Sequence, residues 1–95
     1  MNEETERFFR VYLSREVAYD TIGYLRPTLH AFRDEYVRRV REGLAELVAG
    51  GGLSVGECEH LTGIEFPDAA SLRRYLADMY AYLFEERPDQ PEPPG

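Results

Sequence analysis

The 95-residue chain contains no lysine, no tryptophan and one cysteine, and each shortage narrows what it can be. A lone thiol, Cys58, closes no internal disulfide and fills no four-ligand zinc site, which argues against a disulfide-stapled secreted scaffold and a zinc finger. Stability must come from packing. No apolar run approaches the roughly 20 residues of a membrane helix. The chain opens on Glu3, Glu4 and Glu6, not on a basic then apolar leader. The expectation is a cytoplasmic protein with no membrane segment. In the absence of lysine all eleven basic residues are arginine. The coding bias of a GC-rich genome would produce this, as would selection for bidentate ion pairs.

Charge is plentiful, at 31 % of residues against a usual level of about 25 %. It is also uneven. Residues 1–25 hold three Arg and five acids, 26–50 five Arg and four acids, and 51–95 three Arg and nine acids, so most of the net −7 lies in the second half. Such a balance opposes non-specific adherence to nucleic acid or anionic lipid and favours basic partners.

Apolar residues recur at helical spacing throughout. Phe8, Val11, Ala18, Ile22 and Leu25, widened by Phe9, Tyr12 and Val17, predict a helix over 5–25, with a possible break at Ser14. Pro27 suits a first helical turn and disfavours α geometry at Arg26, so a corner is expected there. Leu29, Phe32, Tyr36, Val40, Leu44 and Leu47 predict a second long helix, stopped by Gly50, Gly51 and Gly52. Ser54 and Glu57 have capping-box spacing, with Leu53 and Cys58 as a hydrophobic staple, and open a short helix from Val55 to Thr62. Gly63 closes it. Asp68 is a natural N-cap for a last helix with Leu72, Tyr75, Leu76, Met79, Tyr80 and Leu83 on its stripe. The reading is an all-α, compact antiparallel helical bundle of about four helices: two long N-terminal, one short and capped, one long C-terminal. Residues 1–87 form one domain, and the proline-rich 88–95 are expected to be a disordered tail.

Candidate chemistry is sparse. Glu57 and His60 have the Glu-x-x-His spacing of carboxylate-bridged metal bundles, but these need two such pairs and further glutamates. Neither metal nor cofactor is expected. Cys58 and His60, two apart on a helix, do not face each other, so no catalytic residue is assigned. Leu53 to Ile64 followed by Ser71-Leu72-Arg73-Arg74-Tyr75 resembles the first and recognition helices of MerR-type winged helix-turn-helix regulators. That resemblance implies DNA contacts from Arg73 and Arg74. Yet residues 64–70 exceed the usual turn of about three or four, and Glu57, Glu59, Glu65 and Asp68 would crowd the phosphates.

The tyrosines are the more suggestive feature. Seven in so small a chain cannot all be buried with satisfied hydroxyls, and Tyr80 and Tyr82 cannot share a helix face. The expectation is a non-enzymatic partner-binding protein, resembling in size and charge an immunity protein, antitoxin or regulatory inhibitor of a basic protein. Tyr75, Tyr80 and Tyr82 would anchor the partner, while Glu57, Glu59, Glu65, Asp68 and Asp78 steer encounter. Self-association as a homodimer through the same face, a degenerate helix-turn-helix over 53–76, and a small metal-binding enzyme or accessory subunit are the alternatives.

Overall fold

The computed structural model describes residues 1–94, and every regular element among them is an α-helix: α1 (Glu3–Tyr12), α2 (Leu25–His30), α3 (Asp34–Gly50), α4 (Val55–Thr62) and α5 (Ala69–Phe84). α3 is the central post, with α1 and α5 packed along it, α2 bridging α3 and α5, and α4 on α1. The Cα radius of gyration, 12.1 Å, is what one domain of this length should show.

The expected helix over 5–25 ends at Tyr12. Asn2 caps its start, its Oδ1 accepting the Thr5 N–H at 2.8 Å, and Glu3, Glu4 and Glu6 complement the positive end of the dipole. Beyond Leu13 the Ser14 carbonyl accepts from both Val17 and Ala18. The Arg15 N–H donates to the Thr62 carbonyl at 2.7 Å, pinning the break to the end of α4. The helical stripe therefore dissolves, and Ile22, expected on it, is 85 % exposed.

The second long helix is also interrupted, at residues 31–33. α2 starts at Leu25, two residues before Pro27, which is accommodated because a first-turn residue donates no intrahelical bond. Arg33 is extended (φ −61°, ψ 147°) and restarts the helix, with Asp34 and Glu35 in its first turn. The kink keeps Leu29 and Leu25 in the core while Phe32 swings to the surface. The sequence pattern alone placed Phe32 in the core.

The second half follows its signals. Ser54 and Glu57 form the complete capping box, Gly63 closes α4 in the left-handed conformation (φ 79°), and Asp68 caps α5 by accepting the Ser71 N–H. α5 has no basic residue in its last turn, and side chains from α2 serve its end instead. Arg26 Nε donates to the Tyr82 carbonyl at 2.7 Å, and His30 Nε2 bonds the Leu83 carbonyl at 2.8 Å. Two carbonyls at a helix end that lacks its own partners are thereby satisfied by positively chargeable groups.

One close approach fixes the α1–α3 spacing. Gly43 faces Thr5, which is fully buried and donates its hydroxyl to the Arg39 carbonyl at 3.1 Å. A Cβ on Gly43 would lie 2.0 Å from Thr5 Oγ1. Past α5, Glu86 has a left-handed φ of 66° and turns the chain back. Residues 88–94, read from sequence as a disordered tail, carry no helix here and run against the body with Pro91 and Pro93 buried.

Candidate functional site

The acids expected to face a partner lie on α4, on α5 and in the loop between them. Glu57 Oε1 accepts the Ser54 N–H at 2.9 Å, and Asp68 Oδ1 accepts the Ser71 N–H at 2.7 Å; these backbone donors hold both carboxyls below their ordinary range. Asp78 is paired with Arg87 at 2.8 Å. Glu59 and Glu65 are exposed, on α4 and in the loop after it. Three of the five acids thus carry structural duties.

Two of the three expected tyrosine anchors are buried. Tyr75 is only 7 % exposed and Tyr82 only 3 %, so with the chain's own segments seated neither ring is at the surface. α5 does have a second apolar face, but the chain covers it itself. Tyr82 lies beneath the Arg26 guanidinium, 4.2 Å from ring centroid to Cζ, and Tyr75 packs on Phe66 at 5.3 Å and lines a groove with Pro91. Tyr80 is half-buried beside Phe84, its hydroxyl accepting from Arg41 Nε at 3.3 Å.

Residues 53–76 place α4 and α5 on different main neighbours. α4 makes its main helix contacts with α1 and α5 with α3, and Arg73 and Arg74 are exposed. Cys58 is buried, its thiol pKa pushed up by burial, which disfavours the nucleophilic thiolate. Among the described residues no three His, Cys, Asp or Glu side chains come together as metal ligands would.

A different site emerges where α1 meets the start of α3. Val11 and Tyr12 on α1, with Phe32 and Tyr36 across the α2–α3 kink, line a cleft of about 350 Å³ whose only charged walls are Arg7 and Arg33. The rings form a continuous series: Phe8 to Tyr12 at 5.5 Å, Tyr12 to Phe32 at 6.1 Å edge-on, and Phe32 to Tyr36 at 4.8 Å. Phe8 belongs to the core, so the half-buried Tyr12 and Tyr36 and the exposed Phe32 are braced from below. Val11 is 51 % and Phe32 39 % exposed, and they are two of the few large apolar side chains that the fold leaves in water. Burial raises the Tyr36 hydroxyl pKa, keeping it a neutral donor.

Neither Arg7 nor Arg33 enters an ion pair among the described residues, whereas Arg10, Arg39 and Arg87 do. A weak sequence signal existed: at 100° per residue Val11 lies off the Phe8–Phe9–Tyr12 face, next to Arg7. Phe32 carried no such signal, because its exposure comes from the kink. No family model, curated protein or solved structure matches the chain.

Proposed function

We propose that the protein is a non-enzymatic binding module that seats an acidic segment with an apolar anchor, presented by a protein partner, in the cleft of Val11, Tyr12, Phe32 and Tyr36. The observation that carries this reading is the contiguity of the exposed Val11 and Phe32 and the half-buried Tyr12 and Tyr36 with two arginines that have no ion-pair partner among the described residues. Aromatic and Arg side chains dominate binding energy because they bury large area at small entropic cost and make directional, charge-assisted bonds. Arg7 and Arg33 at the walls select for carboxylates, although the chain as a whole is acidic. This reading is preferred to a basic partner anchored on Tyr75 and Tyr82, because those two rings are buried while Val11 and Phe32 are exposed.

Selection from a random peptide-display library against the full chain tests the reading. Enrichment of peptides combining Asp or Glu with an aromatic or aliphatic residue is expected, with affinity falling at least tenfold in Phe32→Ala and in Arg33→Glu. Their binding should also weaken between about 50 and 500 mM salt as the exposed charges are screened. Selected peptides that bind both variants as well as the parent would refute it.

A further inference from the structure

The proline-rich tail is held as a ligand would be. Its path is set at Glu86, and Arg87 anchors it: its guanidinium pairs with Asp78, and its carbonyl accepts a hydrogen bond from Arg26. Farther along, Gln90 Nε2 donates to the Asp20 carbonyl, and the Tyr19 hydroxyl donates to the Pro94 carbonyl. Between these points Pro91, Glu92 and Pro94 line a groove opposite Phe66, Pro67, Ser71, Arg74, Tyr75 and Asp78. Prolines lack an N–H and favour polyproline II, so such a segment docks through ring faces and carbonyls without a hydrogen-bond ladder. Aromatic-lined grooves recognise proline-rich peptides by the same physics. Arg74 shares this groove with Glu92, giving it the charge to suit an acidic sequence.

The closed tail also leaves two polar atoms unsatisfied. Tyr75 Oη, on a side chain more than nine-tenths buried, and Gln90 Oε1 are both buried without a hydrogen-bond partner. One lines the groove and the other belongs to the tail. Both would regain water on lifting, which lowers the cost of opening.

We propose that the groove of Phe66, Arg74 and Tyr75 is a binding site for acidic proline-rich segments, occupied in cis by residues 88–94 as a reversible strap. The site lies apart from the cleft of Phe32 and does not depend on it. A tail tethered directly to α5 is present at an effective concentration on the order of millimolar, so a trans ligand must outcompete it.

The test uses the 95-residue chain and a fluorescein-labelled peptide spanning Arg87–Pro94, followed by anisotropy. The variant Pro91→Gly/Pro93→Gly/Pro94→Gly, with its own tail unseated, should bind the peptide at least tenfold more tightly than the parent does. Adding Arg74→Glu, an exposed rim change that spares the core, should reverse that gain, whereas Arg33→Glu should not. In the parent, nuclear Overhauser contacts between Pro91 and the Tyr75 ring should be present. Equal peptide binding by variant and parent, loss through Arg33→Glu in place of Arg74→Glu, or absence of the Pro91–Tyr75 contacts would each overturn the proposal.

Discussion

Gly43→Ala should destabilise the protein, against the usual sign for a glycine in a helix interior. Propensity alone predicts a gain of about 1 kcal/mol. The introduced Cβ, however, would lie 2.0 Å from Thr5 Oγ1, 2.8 Å from Thr5 Cβ and 3.0 Å from Thr5 Cγ2. Rotating the threonine moves Oγ1 and Cγ2 but leaves its Cβ too close, so α1 must shift away from α3. Overpacking of this kind costs about 1–3 kcal/mol. Displacing Thr5 also breaks its bond to the Arg39 carbonyl, worth about 1 kcal/mol. The balance is a net loss of about 1–3 kcal/mol, visible as a lower urea midpoint at unchanged slope. Thr5→Ala in the same background should recover part of it. Gly50→Ala, where a Cβ meets nothing within 4 Å, is the internal control and should be neutral or mildly stabilising. A Gly43→Ala protein as stable as the parent would refute the close-packing argument.

Arg26→Ala should cost about 2–3 kcal/mol in urea unfolding, because the end of α5 loses a charge-assisted bond at 2.7 Å and Tyr82 loses its stacked guanidinium. Arg26→Lys should recover little, lacking the planar fork that lets Arg do both; full recovery by lysine would show that charge alone matters. Stability should decline in acid. The folded pKa values of Glu57 and Asp68 lie below the ordinary 4.5 and 3.8, so their contribution is complete above those values and is lost as pH falls through the lowered folded ones. Asp68→Asn keeps an equally good cap and should flatten the acid limb of urea midpoint against pH; an unchanged limb would exclude Asp68 as a contributor.

Local chemistry was readable wherever it is settled within a few residues. Ser54, Glu57, Gly63 and Asp68 announce caps whose partners lie within four positions, and the structure realises each of them. The apolar stripe of α5 was legible for the same reason, since it needs only helical periodicity; five of its six members are buried. The candidate cleft was legible only in Val11's place off the main face of α1. Val11 and Phe32 recur at core-like spacing, and only the ends of α1 and α2 place them in water beside Arg7 and Arg33.

The sequence by itself determined the all-helical class, the caps of the second half and most of the core-facing side chains, because each depends on interactions between near neighbours along the chain. The break near Ser14 was legible, but only the tertiary structure decided what pins it, that the second long stripe breaks at residues 31–33, that Tyr75 and Tyr82 are covered by the chain's own tail and α2, and which arginines keep no ion-pair partner. Those outcomes depend on contacts between residues tens of positions apart: Arg15 with Thr62, Arg26 with Tyr82, Tyr19 with Pro94. Periodicity says that a face is apolar, and packing alone says what lies against it.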